Sequence, residues 1–196
     1  MKCTRCKKEA LVKLRRHNAK FCGDCFEIFF SRQVESAIKK GEMFSKEEKV
    51  LVGVSGGKDS MSLWHYLEKA GYEVVAIHFD LGIEEHSQKS RQIVEEFARQ
   101  KSLPLEIIEV KKEVGFSIPE VKKQIPYRPV CSMCGLIKRY LLNFWAFREQ
   151  FPVYATGHNL DDEAATLLGN VLHWQIDYLS HQHPTLPSPH PKMVKK

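Results

Sequence analysis

The sequence predicts an α/β fold, a doubly wound parallel sheet preceded by a small zinc ribbon. From residue 49 onward, short apolar runs alternate with segments whose apolar residues follow helical spacing. Strands that alternate with helices in this way are typical of a parallel sheet with helices on both faces. The first 25 residues differ, because they hold two Cys-x-x-Cys pairs at a spacing typical of metal ligands.

The composition is that of a soluble globular protein. Of the 196 residues, 43% are hydrophobic and 28% are charged, which suffices for one substantial core and a small appendage. No apolar run approaches the ~20 residues that span a bilayer, and the residues after Met1 lack the apolar stretch of a signal peptide. We therefore expect a cytoplasmic protein with no membrane partner, whose six cysteines serve metal or redox chemistry.

The first element is the zinc ribbon. Fifteen residues separate Cys3 and Cys6 from Cys22 and Cys25, the spacing of a four-thiolate zinc site. A segment too short to form a core can fold around a tetrahedral metal, since metal binding supplies the folding free energy. Four incidental thiols are the alternative, which this spacing disfavours.

Positive charge is concentrated on the same segment. Residues 1–20 contain one acid, Glu9, and eight basic residues: Lys2, Arg5, Lys7, Lys8, Lys13, Arg15, Arg16 and Lys20. Their net charge of +7 (8 − 1) exceeds the +6 of the whole chain, so the remainder is nearly neutral. Such a surface suits contact with a phosphate backbone, although a solvated basic face with no partner is also compatible with it.

A helix connects the ribbon to the main domain. From Phe26 to Lys40 the apolar residues follow helical spacing, and Gly41 ends the helix. We predict four parts of the chain: the zinc ribbon at 1–26, the connecting helix and linker at 27–48, the main α/β domain at 49–180 and a His- and Pro-rich tail at 181–196.

A glycine loop, Ser55-Gly56-Gly57-Lys58-Asp59-Ser60, joins the first strand of the main domain, at 49–54, to a helix at about 59–70. Two glycines allow a tight turn, and the free N–H groups at the helix start favour phosphate. The loop is not a Walker loop, since the required glycine and hydroxyl residue are replaced by Val52 and Asp59. A carboxylate there suits a magnesium-bound phosphate. An ordinary strand-to-helix turn is the simpler alternative.

The rest of the main domain continues the alternation. We predict strands at 73–79, 105–110 and 152–156, a helix at about 87–100 and further helices on either side of the last strand. His78 lies at the end of the second strand, on the same edge of the sheet as the glycine loop. A structural histidine is as compatible with this position as a ligand contact.

A third cysteine pair, Cys131 and Cys134, follows a basic, proline-bearing segment and opens a helix. Thiols at a helix start have lowered pKa values, which favours thiolates for metal binding or sulfur chemistry. Lys138 lies one helical turn after Cys134, so it can face the same cavity. A cluster with a single open iron needs a third cysteine, which the chain does not have beyond the ribbon.

A second glycine turn, Thr156-Gly157-His158-Asn159-Leu160-Asp161-Asp162-Glu163-Ala164, returns the chain to the edge of the sheet where the glycine loop lies. Its three acids can simply satisfy the dipole of the helix that they open. Together with Asp59, they are better interpreted as part of a magnesium site.

These motifs resemble a known family. The stretch Ser55–Ser60 resembles the pyrophosphate-binding PP-loop of the N-type ATP pyrophosphatases, which adenylate a substrate oxygen and release pyrophosphate. With the ribbon, the segment Cys131–Tyr140 and the segment Thr156–Asp162, all in the same order and spacing, residues 3 to about 180 are similar to the tRNA 2-thiouridine synthetases.

The resemblance implies an adenine nucleotide alpha hydrolase-like fold and the cofactors ATP, Mg²⁺, Zn²⁺ and a [4Fe-4S] cluster. It implies a catalytic set of Asp59, Lys138, Asp161, Cys131 and Cys134, in which the two cysteines are two of three cluster ligands. The implied ATP site consists of Gly53, Val54, Ser55, Gly56, Gly57, Lys58, Asp59, Ser60, His78, Gly157 and Asp161. The expected partners are tRNA, a thiocarboxylated ubiquitin-like sulfur carrier or another sulfide source, and a second copy in a homodimer.

The resemblance ends at the tail. Family members continue well past this point and supply the third cluster cysteine and a second zinc ribbon, so we expect a truncated chain. The function we predict is adenylation of a uridine C2 oxygen in tRNA, at the T-loop 5-methyluridine, followed by sulfur transfer. The alternatives are thiolation of a tRNA cytidine or wobble uridine, and a non-catalytic zinc-dependent RNA-binding protein.

Overall fold

The computed structural model describes residues 1–180, 182–183, 185–187 and 194–195. Most of the predicted tail therefore lies outside the described residues. The chain forms two compact units, Met1–Phe44 and Ser45–Lys196.

The first unit is a small antiparallel hairpin followed by a helix. Strands β1 (Val12–Leu14) and β2 (Ala19–Phe21) pair across a short 3₁₀ turn, and helix α1 spans Gly23–Lys40. The turn closes at Asn18, whose left-handed backbone (φ 44°) suits asparagine. The buried centre of the unit consists of three thiols and one methyl group, from Cys3, Cys22, Cys25 and Ala10, with Phe21 packed against them. A core this small needs a further source of folding free energy.

The second unit is built on a parallel sheet. Its strands are β3 (Val50–Gly53), β4 (Val74–Asp80), β5 (Leu105–Glu109) and β6 (Val153–Thr156), in the spatial order β5-β4-β3-β6. All four are parallel, and the short segments β7 (Leu186–Pro187) and β8 (Val194–Lys195) extend the edge beyond β6. The predicted doubly wound parallel sheet is confirmed.

Helices connect the strands. They are α2 (Lys58–Lys69), α3 (Glu84–Lys101), α4 (Val110–Val114), α5 (Ile118–Gln124), α6 (Val130–Arg148), α7 (Leu160–Leu172) and α8 (Ile176–Leu179). Among the described residues, no helix is long and apolar enough to cross a membrane.

Several element boundaries differ from the sequence prediction by one to three residues, and two of these differences have a local explanation. Helix α3 begins at Glu84, three residues earlier than predicted, and the Ser87 hydroxyl accepts a hydrogen bond from Ile83 N–H at this end (2.9 Å). The third strand ends at Glu109, because the fully buried Val110 already belongs to α4. Helix α5, which has a capping box formed by Ser117 and Glu120, was not predicted as a separate element.

The core of the second unit lies between the sheet and its helices. The side chains of Leu51, Ile77 and Tyr154, from three neighbouring strands, are at most 2% exposed. On helix α2, Trp64 is fully buried and its ring lies 5.1 Å from that of Phe97 on α3. This packing fixes the start of α2 relative to the sheet.

The strand order creates a crevice at the carboxyl edge of the sheet. From β3 the chain moves to β4 and then β5 on one side, and β6 is added on the other side of β3. The loops that follow β3 and β6 therefore diverge, and a doubly wound sheet binds its ligand at this switch point. The glycine loop follows β3, and the turn at 157–159 follows β6.

Candidate active site

The glycine loop is held closed by the Ser60 hydroxyl. Ser60 Oγ accepts a hydrogen bond from Ser55 N–H at 3.1 Å and donates one to the carbonyl oxygen of Gly57 at 3.2 Å. Gly57 is the N-cap of α2, so Lys58, Asp59 and Ser60 form the first turn of that helix. The loop is therefore shaped before any ligand arrives, with the positive end of the helix dipole facing the crevice.

Two glycines permit close backbone approaches at this loop. Gly56 has φ +77°, and a Cβ there would lie 2.9 Å from the Ser90 carbonyl oxygen on α3. A Cβ on Gly157 would lie 2.5 Å from Cα of Ser60 and 2.6 Å from its nitrogen. The turn after β6 thus lies directly against the first turn of α2, and only glycine fits at position 157.

Opposite charges meet at the mouth of the crevice. Lys58 Nζ lies 2.7 Å from both carboxylate oxygens of Asp59, and the lysine side chain is 83% exposed. The hydrogen bond to Asp59 raises the pKa of Lys58, and the charges of Asp162 and Asp161 raise it further. The carboxylates of the second turn therefore lie near the glycine loop, as the sequence predicts.

The two neighbouring aspartates of α7 have different tasks. The Asp162 carboxylate accepts a hydrogen bond from Asn159 N–H at 2.9 Å and completes a capping box, in which the Asn159 side chain accepts from Asp161 N–H and Asp162 N–H. The capping interpretation therefore holds for Asp162, and a magnesium site that includes the three acids stays a prediction. Asp161 is exposed, and its backbone N–H, not its carboxylate, takes part in the capping box.

His78 connects β4 to the glycine loop. It is 3% exposed, and its Nδ1 lies 2.9 Å from the carbonyl oxygen of Val54, the last residue before the loop. Burial lowers the pKa of His78, so the ring is neutral, and a neutral ring that donates from Nδ1 leaves Nε2 as an acceptor. Nε2 is buried and has no hydrogen-bond partner among the described residues.

The third cysteine pair lies on the first turns of α6. Cys131 is exposed and Cys134 is partly buried. The predicted low thiol pKa is wrong for Cys134, since burial raises its pKa and outweighs the opposing effect of the Lys138 ammonium. The charge of Lys138 also lowers the pKa of His78, so Lys138 lies close enough to influence both groups. The charge of Lys138 therefore acts on both Cys134 and His78.

The four ribbon thiols form a ready-made metal site. All four sulfur atoms lie within 4.8 Å of one another, and those of Cys6 and Cys22 are 3.5 Å apart. Zinc–thiolate bonds of about 2.3 Å in a tetrahedron require sulfur separations close to these values. Burial and the neighbouring thiols raise the pKa of Cys25. Such crowding is relieved when a cation binds the thiolates, so the donor set fits Zn²⁺.

No second group of three metal-ligating side chains lies in the part of the chain that the structure describes. Cys131 and Cys134 are thus a two-thiol site there. Asp59 and the acids of α7 do not form a metal cage by themselves. Mg²⁺ needs only one or two carboxylates, since phosphate oxygens and water complete its octahedron.

One charged residue at the site was not predicted. Arg91 of α3 lies 3.7 Å from carboxylate oxygens of both Asp80 and Glu109, which end the neighbouring strands β4 and β5. The guanidinium neutralises two acids at the carboxyl edge of the sheet and also lowers the pKa of His78. Two acids that end adjacent strands are the sequence signal that could have indicated a basic partner.

Comparisons with known proteins agree with this geometry. The model of the PP-loop domain family matches residues 27–173. The chain belongs to the PP-loop family. A second model, for the N-terminal LIM domain of the 2-thiouridine synthetase TtuA, matches residues 2–27. Both resemblances inferred from the sequence motifs are confirmed.

Several relatives are tRNA sulfurtransferases. The chain is 48% identical to a tRNA-5-methyluridine(54) 2-sulfurtransferase of Thermotoga maritima and 41% identical to one of Pyrococcus horikoshii, with all of this chain covered in both. The alignments cover 64% and 62% of those proteins. The chain therefore spans somewhat less than two thirds of the length of the curated relatives it matches.

Solved structures show the same fold. The U34-tRNA thiolase NcsA from Methanococcus maripaludis, solved with its [4Fe-4S] cluster, superposes with a TM-score of 0.82 at 28% identity, over 100% of this chain and 66% of that one. An NH3-dependent NAD synthetase from Campylobacter jejuni superposes with a TM-score of 0.50 at 17% identity, over 74% of this chain and 59% of that one, and shows the fold alone.

Proposed function

We propose that this chain carries out ATP-dependent 2-thiolation of tRNA. It adenylates the C2 oxygen of a uridine, the T-loop 5-methyluridine, releases pyrophosphate, and then allows sulfur to displace AMP. The observation that carries the proposal is the gathering of three components at one sheet edge. These are the PP-loop with Lys58 and Asp59, the free Asp161 carboxylate across the Gly157 turn, and the Cys131/Cys134 pair with Lys138.

The PP-loop binds the phosphates of ATP. Its free N–H groups and the start of α2 face the β- and γ-phosphates, and Lys58 offsets their charge. Two observations support this assignment. The loop is already closed by a hydrogen bond, and Lys58 is exposed, so its ammonium can move from Asp59 to a phosphate oxygen. The neutral His78 offers Nε2 as an acceptor, which suits the exocyclic amine of adenine.

Adenylation converts the C2 oxygen of the uridine, a poor leaving group, into a good leaving group. The uridine C2 oxygen forms a bond to the α-phosphorus while the bond from that phosphorus to the bridging oxygen of pyrophosphate breaks. Asp59 and Asp161 would hold Mg²⁺, which supplies charge stabilisation to the departing pyrophosphate. Lys58 and the α2 N-terminus stabilise the same charge through the chain's own groups.

Sulfur enters from the α6 end of the site. A sulfur nucleophile attacks C2 of the adenylated uridine and expels AMP, and Lys138 stabilises the negative charge that develops there. We propose a thiocarboxylated ubiquitin-like carrier or free sulfide as the source. Sulfide gives the 2-thiouridine directly, whereas with the carrier water must also hydrolyse the bond between the sulfur and the carrier's acyl carbon, so that the carrier leaves as its carboxylate. Cys131 and Cys134 would be two ligands of a [4Fe-4S] cluster, one fewer than three-cysteine ligation requires. No step of the reaction is therefore assigned to a cluster.

The remaining expectations follow from the resemblance. The four ribbon thiols would hold Zn²⁺, and the basic residues around them would contact the tRNA backbone. We further propose a homodimer in the cytoplasm.

The proposal is tested by following ATP in the presence of Mg²⁺ and unmodified tRNA transcript. We expect tRNA-dependent formation of AMP and pyrophosphate, and a loss of roughly 100-fold or more in Lys58→Ala, because one preorganised charge contact to the transferring group is removed. Formation of ADP and phosphate would exclude the proposal. Wild-type protein that binds tRNA but forms no pyrophosphate would instead support the non-catalytic RNA-binding alternative.

A wobble uridine is the second candidate substrate. It is favoured by the superposition on a U34-tRNA thiolase and by relatives named cytoplasmic tRNA 2-thiolation protein 1, 33% identical in Saccharomyces cerevisiae. The higher identity to the 5-methyluridine(54) enzymes supports the T-loop position. Mass spectrometry of nuclease fragments distinguishes the two, since the sulfur lies either in the T-loop or in the anticodon fragment.

A further inference from the structure

One tyrosine projects from the turn that precedes α6. Tyr127 is 87% exposed, more than Tyr140 (61%) or Tyr178 (63%). A large aromatic ring that is held in water gains nothing from the fold of its own chain. Its surroundings indicate what it could contact.

Three hydrogen bonds hold the turn that carries Tyr127. Arg128 N–H donates to the Ile125 carbonyl oxygen at 3.2 Å, which closes a turn with Pro126 and Tyr127 at its centre. The Lys122 ammonium donates to the carbonyl oxygens of Pro126 at 2.6 Å and of Arg128 at 2.9 Å, on both sides of Tyr127. These hydrogen bonds favour one conformation of the turn on both sides of the ring, which lowers the entropy that a ligand of the ring must overcome.

The turn lies at the ligand-binding edge of the sheet. Helix α6 leads into the parallel strand β6, so it runs opposite to the strands and begins at their carboxyl ends. Tyr127 is two residues before the N-cap Pro129, and Cys131 is the second residue of α6. The exposed ring and the exposed thiol therefore belong to the same end of the same helix.

The segment around the turn is purely basic. Residues 121–139 contain no Asp or Glu and five basic residues: Lys122, Lys123, Arg128, Lys138 and Arg139. An exposed aromatic ring among cations is the arrangement that binds single-stranded nucleic acid, in which the ring stacks on a base and the cations contact phosphates.

We propose that Tyr127 is a stacking platform for an unpaired nucleobase of the RNA substrate and holds a single-stranded segment beside Cys131. The inference rests on the proposed function, since it deepens RNA recognition at the same site. It assigns a binding role to the turn 125–128, and it names the π-face of the ring as the contact.

The proposed role of the Tyr127 ring is tested by measuring RNA binding to the full chain. We compare wild type, Tyr127→Ala, Tyr127→Phe and Tyr127→Trp, with Tyr178→Ala as the matched exposed control. The ligands are unmodified tRNA transcript and a short single-stranded RNA that contains 2-aminopurine, whose fluorescence is quenched by stacking. We expect Tyr127→Ala to weaken binding about 10-fold and to abolish quenching, because one stacked base is lost. The Phe, Trp and Tyr178→Ala variants should stay within about threefold of wild type.

The contribution of the turn to RNA binding is tested by substituting two neighbouring lysines. Lys122→Met and Lys123→Met remove the same charge, but only Lys122 bonds to the turn carbonyls. We expect Lys122→Met to weaken RNA binding more than Lys123→Met. Equal losses of RNA affinity in the two variants would contradict a role for the hydrogen bonds between Lys122 and the turn.

Three outcomes would overturn the inference. In the first, wild type binds RNA and Tyr127→Ala binds equally well, which leaves the proposed function intact. In the second, Tyr127→Ala affects only thiolation driven by a protein sulfur donor, so that the ring contacts the donor and not RNA. In the third, wild type binds no RNA, and the proposed function fails together with the inference.

Discussion

Neighbouring residues of the same type have different tasks at this site. Asp161 and Asp162 are consecutive acids in the first turn of α7, yet only Asp162 is engaged in the capping box. Asp162 is therefore used for local structure, and we propose that the exposed Asp161 is used for chemistry.

The two aspartates form a matched pair of variants. Asp161→Asn removes a charge that faces the ligand, so we expect tRNA-dependent AMP formation to fall roughly 100-fold while the melting temperature stays unchanged. In Asp162→Asn the amide oxygen can still accept the capping hydrogen bond, so activity should stay within about threefold of wild type. AMP formation and thermal unfolding are measured for both. Equal activity losses would contradict the division of tasks.

Gly157 is expected to tolerate no side chain. In Gly157→Ala the new Cβ would meet backbone atoms of Ser60 at 2.5–2.6 Å, and backbone cannot rotate away. We expect the free energy of unfolding to fall by about 1–3 kcal/mol and ATP binding to weaken, since the two sides of the crevice are forced apart. Gly169→Ala is the control, because nothing lies within 4 Å of a Cβ there and alanine favours helix. Urea unfolding and calorimetric titration with ATP check both variants.

His78 should make stability depend on pH. Its pKa is lowered in the folded protein, chiefly by burial, so the unfolded chain takes up a proton at pH values where the folded chain does not. The free energy of unfolding contributed by His78 is therefore fully present above its ordinary pKa of 6.5 and decreases as the pH falls below that value. Asp80, Lys138 and Arg91 also act on the ring, and burial outweighs the raising effect of Asp80.

The measurement is urea unfolding at pH 7.5 and pH 5.5, which bracket the ordinary histidine pKa of about 6.5. Wild type is compared with His78→Asn, whose amide can replace the donor to Val54. We expect wild type to lose more stability than the variant between the two pH values. Parallel losses would show that His78 does not titrate differently in the folded chain.

At the scale of elements, each unit depends on a different kind of stabilisation. The ribbon buries three cysteines and Ala10 at its centre, so we expect its order to depend on a metal, whereas the sheet unit has a contiguous apolar core. The strands and turns of the sheet unit also position the residues of the candidate site. Strand β3 presents the PP-loop, β4 presents His78, and the turn after β6 presents Asp161.

We expect Cys25→Ser to abolish stoichiometric zinc binding and to unfold the ribbon locally. Removing one thiolate from a tetrahedral site lowers the metal affinity and with it the folding free energy of the segment. Trypsin should then cleave rapidly among the basic residues 1–20, while residues beyond 45 remain resistant. Zinc analysis and mass spectrometry of the digest provide the measurement. Cys131→Ser serves as the control and should keep its ribbon zinc, and a protease-resistant ribbon in Cys25→Ser would contradict a metal-dependent fold.

At the scale of the whole molecule, the sequence predicts what depends on local pattern. The strand-helix alternation, the PP-loop and the four-cysteine spacing are periodic or contiguous signals, and each was found where it was predicted. The burial that raises the pKa of Cys134, the contact of Gly157 with Ser60 and the bridge of Arg91 between two strands depend on tertiary packing. A local sequence pattern does not encode these features, because each of them depends on residues from separate elements of the fold.

The central claim is that the uridine C2 oxygen is the atom that attacks ATP. It is tested most directly by tracing that atom, with tRNA whose target uridine carries a heavy-oxygen label at C2, incubated with the protein, ATP, Mg²⁺ and sulfide. We predict that the label appears in the phosphate group of AMP, that the uridine gains sulfur, and that Asp161→Asn suppresses both. AMP without the label, or label retained in a uridine that has gained sulfur, would contradict the account.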